Sequence, residues 1–448
     1  MQESNRIRKV INYTKQKEAL KIARFNETDF TRESPLNLNN LSKLLIFKEG
    51  KTNQMEIYNF FNRIHKPELC VTKAALTEQR KKLNPKLFIY MNQMLANDIY
   101  AEEKIKTIEE TNLIPIGIDG SIFEIPNKPK LKDEFGYAKG SNDEKANVVA
   151  RAQVSGAYDC ENDIMLHAII EKYGISEKKL AMEHIKYIKQ TYRNQYKDML
   201  FIFDRGYIGI PLLIYLIENE GNYLFRLQEK TYRKEISMMN TNDEEIIIPI
   251  TSSRKKDIQD EHLKELAIQM KEIKVRVVKI KLDSGETEIL LTNISKHIIS
   301  TEKMKEIYFK RWHIEKAYDV IKNKLEMESF SGYSKVAVEQ DFYAQILLFN
   351  MLEDIKKTAN NEIKDEKEKS MKTYKYEYIV NLNILIGVCR QYILALALLG
   401  ENEQHDNLRD DMLKIIKSNL VAVKSGRKFA RKWKGKNNRY NTNMRRNS

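Results

Sequence analysis

Asp119, Asp204 and Glu315 are the side chains whose types and surroundings best suit them to chemistry. Asp119 follows the apolar run IPIGI and Asp204 follows MLFIF, so each sits where a buried strand releases polar groups into a cleft. Two carboxylates at neighbouring strand ends can share a divalent cation, because hard Mg²⁺ or Mn²⁺ prefers oxygen ligands. An Asp after a strand also caps turns, especially beside Gly120 and Gly206, and either Asp alone leaves both readings open. In YFKRWHIEKAYDVIKNKLEM, Tyr308, Arg311, Glu315 and Lys322 fall at i, i+3, i+7 and i+14. At about 100° per residue, that spacing predicts one helix face within roughly 60°. The stripe sets a carboxylate among two cations and a phenol. Pairing of Arg311 with Glu315 at i,i+4 explains part of it, but not Tyr308 and Lys322 on the same line.

These residues need a sheet and a covering helix. Between about Leu113 and Gln228, short apolar runs alternate with helical patterns, which predicts an α/β unit ordered strand, strand, strand, helix, strand, helix, strand, its first three strands forming an antiparallel meander. Ile307, Ile314, Tyr318, Ile321 and Leu325 form an apolar stripe that would pack on that sheet. From Lys230 to about Thr301, IIIPI, IKVRVVKIKL and ETEILLTNI suggest an inserted β-rich subdomain. Helical periodicity returns at Glu302 and continues to an apolar helix at 379–399, with a charged linker near Asn360 to Lys369.

The N-terminal region to about Asn97 reads as helical, and EIYNFFNRIHK followed by TKAALTEQRKKL has the layout of a helix-turn-helix with Thr72 as N-cap. On the second helix Lys73, Thr77, Arg80 and Lys81 share a side, which is either a DNA-reading face or a solvated one. The chain has 448 residues, too many for one core, and carries 77 Lys+Arg against 63 Asp+Glu, a net charge of +14 that favours a polyanionic partner. Ten Lys/Arg and no acid lie in 421–448, which predicts a disordered basic arm.

Other chemistries find little support. Gly50-Lys51-Thr52 has Leu45 where a P-loop needs glycine, and His313-Ile314-Glu315 lacks the P-C-x-x-C partner of a zinc deaminase. Cys70, Cys160 and Cys389 are too scattered for a disulfide framework or zinc site and suit a reducing cytosol. No apolar segment follows MQESNRIRKV, so no secretory signal is expected, and the 379–399 stretch is too polar for a bilayer.

The chain resembles the DDE transposases of the insertion-sequence-four group. Their third-acid helix carries Tyr, two residues, Arg, three residues, Glu, six residues, Lys, and Tyr308, Arg311, Glu315 and Lys322 satisfy each interval. Asp119-Gly120-Ser121 matches the first-Asp motif and Asp204-Arg205-Gly206-Tyr207 the second, while TKAALTEQRKKLNP and FSGYSKVAVEQDFYAQI extend the likeness over most of 70–350. The resemblance implies a ribonuclease-H-like α/β core interrupted by a β-rich insertion. Its layout would be a helical DNA-binding region at 1–105, core at 106–228 and 302–352, the insertion at 229–301, a helical region at 353–420 and the basic tail at 421–448.

It further implies that Asp119, Asp204 and Glu315 bind two Mg²⁺ ions, with Mn²⁺ able to substitute, for cleavage of transposon ends and joining of the 3′-OH to target DNA. Tyr308, Arg311, Lys322 and Arg205 would contact DNA near the ends, beside Lys73, Thr77 and Arg80 of the N-terminal helices. Partners would be double-stranded DNA, as terminal inverted repeats and target, and a second copy in a homodimeric synaptic complex, with no membrane and a bacterial cytoplasmic, nucleoid-associated location. Some members stack an insertion tryptophan on a flipped base; Trp312 and Trp433 lie outside the insertion, where Tyr232 could substitute. The rival readings are a catalytically silent DNA-binding relative and a ribonuclease-H-like nuclease without strand transfer.

Overall fold

Short apolar runs become strands in the computed structural model, which describes residues 2–102, 105–139, 148–256, 258–282, 285–369, 376–399 and 403–423. Along the chain these are β1 (Ile114–Glu124), β2 (Tyr137–Lys139), β3 (Val148–Asp159), β4 (Ile164–Lys172), β5 (Met199–Phe203), β6 (Asn222–Arg226), β7 (Asp243–Pro249), β8 (Glu272–Lys281), β9 (Thr287–Thr292), β10 (Glu377–Val380) and β11 (Leu420–Val423). The described residues fall into two compact units, one from within 1–101, 123–152 and 319–448, the other from within 102–122 and 153–318.

The second unit carries the sheet in the order β3-β1-β5-β6-β9-β8-β7, with β4 also paired to β3. β1 runs parallel to β5 with Ile118 opposite Phe203, and β5 runs parallel to β6. β1 continues through Asp119-Gly120-Ser121, which the sequence suggests as a strand end, beyond its pairing with β5 that stops at Ile118; its other neighbour in the sheet is β3. All of β5 is buried, as its unbroken apolar sequence requires in a sheet covered on both faces. Leu200 and Ile202 of β5 join Leu224, Val278, Leu290, Met304 and Ile307 in one core cluster, so the helix Thr301–Phe309 packs on this face. The expected β-rich segment does not stand as a separate sheet: β9 pairs antiparallel with β6, which would otherwise expose unpaired backbone groups at an edge.

The first unit is helical. Asn53–Arg63 and Lys73–Arg80 are joined through a 3₁₀ turn at Pro67–Leu69, and Thr72 caps the second helix by accepting from the Ala75 N–H at 3.3 Å. Lys335–Lys369 is one continuous helix of 35 residues. It absorbs both the boundary expected at 352 and the linker expected at 360–369, because Glu and Lys there are good helix formers that pair at i,i+4, as Lys364 does with Glu368. The apolar 379–399 stretch opens as strand β10 before the helix Leu382–Leu398, and β10 pairs with β11. Residues 421–423 therefore belong to a strand rather than to the basic tail, while 424–448 lie outside the described residues. Among the described residues no helix is long and apolar enough to cross a membrane.

Candidate active site

The register of β1 against β5 brings the two aspartates together. Asp119 and Asp204 directly follow the opposed pair Ile118 and Phe203 on parallel neighbours, so both project from one face about 4.8 Å apart in strand spacing. That face is the one carrying Leu200 and Ile202, and the helix over it supplies Tyr308, whose hydroxyl donates to Asp204 Oδ1 at 3.1 Å. Gly117, two residues before Asp119 on the same face, leaves room for Cys160: a Cβ there would lie 3.1 Å from Cys160 Sγ, with Ile314 Cγ2 and the Arg311 carbonyl oxygen at ordinary contact, 3.5 and 3.7 Å.

Arg311 joins the first acid to the third. Its Nη1 donates to Asp119 Oδ2 at 3.1 Å and its Nη2 to Glu315 Oε1 at 2.9 Å, and Arg311 is only 3% exposed. Burial opposes its charge, but Tyr308, Asp119 and Asp204 outweigh that and raise its pKa. The guanidinium is a counter-ion to the carboxylates. The four-residue stripe is also not one straight helix. Thr301–Phe309 ends, Trp312–Asp319 begins anew, and Val320–Lys324 forms a π turn, so the expected common face is broken twice. Lys322 belongs to the first unit, where its Nζ lies 4.6 Å from the centre of the Phe123 ring and burial lowers its pKa against the pull of Glu328 and Glu124.

The Asp119 backbone is held by Tyr318, expected only as part of the apolar stripe, and by side chains that carry no signal in the sequence. Its carbonyl accepts from Tyr318 Oη at 2.9 Å and from Ser155 Oγ at 3.3 Å. Ser155 in turn meets His184 Nε2 at 3.0 Å, and His184 Nδ1 meets His167 Nδ1 at 2.9 Å. With Ser155 donating to the carbonyl, His184 must carry its proton on Nε2 and His167 on Nδ1. Burial keeps both imidazoles neutral, lowering His167 to about 3 and His184 well below the usual range. Burial also pushes Asp119 up to about 6, with Arg311 and the Gly120 N–H opposing and Glu315 and Glu177 adding to the rise. Glu177, which no motif marks, also acts on Asp119 and on Tyr207 of the second-Asp motif.

The remaining candidates divide. Arg205 is exposed, as are Lys73 and Thr77. Arg80 is 5% exposed and fully engaged, donating to Gln340, Ser331, the Ala337 carbonyl and Asp341 at 2.5–2.9 Å. It is an internal strut, because a buried guanidinium must satisfy its fork of donors within the fold. Tyr232 of the insertion is half-buried, with the Arg254 guanidinium 4.9 Å from its ring centre, so one ring face is already covered.

As the side chains stand, no three His, Cys, Asp or Glu residues among those described converge closely enough to hold a metal ion. The donor chemistry nevertheless fits a hard divalent cation, since Asp119, Asp204 and Glu315 offer only carboxylate oxygens. The buried Tyr207 hydroxyl has no hydrogen-bond partner, and the charge of Asp119 is among those that act on it.

A search of curated proteins finds no match to this chain. Among solved structures it is similar to one described as a cryo-EM structure of a piggyBac transposase synaptic complex with hairpin DNA, at 8% identity and a TM-score of 0.43, covering 91% of this chain and 84% of that one. The family model described as "Transposase DDE domain" matches residues 115–351, a span of more than half the chain that contains Asp119, Asp204, Tyr308, Arg311, Glu315 and Lys322. On that match, the chain belongs to the transposase DDE domain family.

Proposed function

We propose that this DNA transposase is a cut-and-paste enzyme of the insertion-sequence-four group, with Asp119, Asp204 and Glu315 as its catalytic carboxylates. The observation that carries the reading is the β1–β5 register, which sets Asp119 beside Asp204, together with the Arg311 bridge from Asp119 to Glu315. The run β1, β3, β4, helix Glu177–Thr191, β5, helix Ile210–Glu218, β6 supports a ribonuclease-H-like core.

Asp119, Asp204 and Glu315 would hold Mg²⁺ or Mn²⁺. When bound, such ions supply Lewis acidity that activates an attacking oxygen and stabilises a leaving one. Tyr318 and Ser155 fix the Asp119 carbonyl, so its carboxylate points from a backbone that cannot swing. Arg311 compensates the charges of Asp119 and Glu315, and its planar guanidinium would also suit a DNA phosphate. Tyr308 holds Asp204 through its hydroxyl. Lys73, Thr77 and Arg205 are exposed and suited to DNA contacts, while two copies of the chain would pair the transposon ends.

Replacing Asp119 or Asp204 by Asn, or Glu315 by Gln, should reduce metal-dependent nicking of a transposon end below about one-hundredth of wild type, because the carboxylates act on the transition state. Gel-shift affinity for the same end should stay within a few-fold, since most of it comes from dispersed phosphate contacts. A variant that still nicks near the wild-type rate removes that residue from the triad.

A further inference from the structure

Arg226 ends β6, the strand beside β5. Phe225 stands opposite Phe203, so the residues that follow them, Arg226 and Asp204, are the next opposed pair on parallel strands and project from one face. On its other side β9 sets Leu290 opposite Arg226, and Leu290 belongs with Leu200, Ile202 and Leu224 to the core cluster on that face. Asp119, Asp204 and Arg226 therefore form a row across three adjacent strands, under the helix that supplies Tyr308. The row lies at the carboxyl ends of parallel strands, where open α/β sheets take their ligands.

The simplest account of Arg226 is an ion pair. Its Nε lies 3.0 Å from Oε1 of Glu288, which is two residues along β9 from Leu290 and so on the same face. The pair is lopsided. The Glu288 side chain is 3% exposed and that of Arg226 30%, and Glu288 Oε2 is buried without a hydrogen-bond partner, so the two Nη groups of the guanidinium are not spent on that acid. The carboxylates of the row do not claim them either, since Asp119 and Glu315 have Arg311 and Asp204 has the Tyr308 hydroxyl. A guanidinium tethered at Nε by a sealed carboxylate, its planar fork open at the strand ends, suits the oxygens of a phosphate.

We infer that Arg226 contacts a DNA phosphate at the cleaved position and that Glu288 positions its guanidinium. The inference rests on the Asp119, Asp204 and Glu315 site proposed above. Carboxylates repel the strand they are to cut, and a fixed cation in their row offsets that repulsion and sets where the phosphate lies. Glu288 holds the long side chain in one direction, so less of its freedom is lost when the phosphate binds.

The test uses the full chain and duplex oligonucleotides carrying the transposon end, with one phosphate at a time near the cleavage position replaced by an uncharged methylphosphonate. Binding is read by gel shift without metal and nicking with Mn²⁺. For the wild type, replacement at one position should weaken binding about tenfold, the worth of a charge-assisted contact. Arg226→Gln should show that loss on unmodified DNA and no further loss at the same position, while still responding to the others. Arg226→Lys keeps a cation against Glu288, so it carries the comparison if Arg226→Gln does not fold, and its point charge should respond less than wild type there. Glu288→Gln should nick more slowly than wild type yet stay sensitive at that position, as a residue acting through Arg226 must. An Arg226→Gln or Arg226→Lys protein as sensitive as wild type at every position would overturn the inference and leave Arg226 a counter-ion to Glu288. Unchanged nicking by Asp204→Asn would instead overturn the site on which the inference rests.

Discussion

Asp119 shows how one residue is prepared for a cation. Burial raises its carboxyl to about 6 even though Arg311 and the Gly120 N–H favour the charged form. In the unfolded chain the same group titrates near 3.9. Between those values the native state binds more protons than the unfolded one, so this group's contribution to stability declines as pH rises from about 4 to 6 and stays low above. Metal-free Asp119→Asn should therefore lose less stability than wild type over that window, which denaturant melts at pH 4, 5, 6 and 7 would reveal. Equal pH dependence of the two proteins would mean that Asp119 is charged at its ordinary pKa. Mn²⁺ affinity should weaken below pH 6 for the same reason, since the cation competes with the proton.

At the scale of elements, interruption positions the site as much as regularity does. The break between Phe309 and Trp312 lets Tyr308 reach Asp204 while Arg311 reaches Asp119 and Glu315. The π turn at Val320–Lys324 then redirects Lys322. Elsewhere the helix Lys73–Arg80 is tied to Lys335–Lys369 by Arg80, which meets Asp341 at 2.9 Å while Lys48 meets the same carboxylate at 3.3 Å. Burial alone would raise Asp341, yet Arg80, Lys48 and Ser331 outweigh it and lower its pKa to about 2. The stabilisation is present above the unfolded pKa and is lost as pH falls toward 2. Arg80→Ala should cost about 3–5 kcal/mol in a denaturant melt at neutral pH, by leaving a buried carboxylate undercompensated. Lys73→Ala and Thr77→Ala, at exposed positions, should cost less than about 0.5 kcal/mol. An Arg80→Ala protein of wild-type stability that fails only in DNA discrimination would restore Arg80 to the DNA-reading face.

For the whole molecule, the net charge of +14 is concentrated at one end of the sequence, because 424–448 holds ten Lys/Arg and no acid. Strand β11 ends at Val423, so truncation after that residue keeps its pairing with β10. Each phosphate neutralised on duplex DNA adds about 0.9 to the slope of log K against log salt. If half of those cations engage phosphates, deleting 424–448 should flatten the slope by roughly 4–5 units and weaken specific and non-specific binding alike. The melting temperature should stay within about a degree or two of the full chain, because the few large apolar residues of that segment cannot offset its ordering entropy. An unchanged salt slope would place the DNA-facing charge elsewhere.

The sequence by itself determined the parts whose signal is local. Asp119-Gly120-Ser121, Asp204-Arg205-Gly206-Tyr207 and the Tyr308–Lys322 spacing mark the catalytic candidates, and the apolar runs at 114–118 and 199–203 mark the strands that carry two of them. Periodicity and capping act over a few residues, which is why Thr72 is readable as a cap and MLFIF as a buried strand. Only the tertiary structure decided what depends on neighbours distant in sequence. Gly120-Ser121 reads as a turn, but β1 runs on through it beyond the end of β5, with β3 as its other neighbour in the sheet. Arg80 reads as a surface cation until Asp341, 261 residues away, buries it. Glu177 carries no motif of its own in the chain, and Tyr207 enters only as the end of the Asp204-Arg205-Gly206-Tyr207 motif, with no role legible for its hydroxyl. They join Asp119 because the fold brings the helix opening at Glu177 and the segment just after β5 to the β1 strand, and pairwise proximity of that kind leaves no periodic trace in the residues that share it.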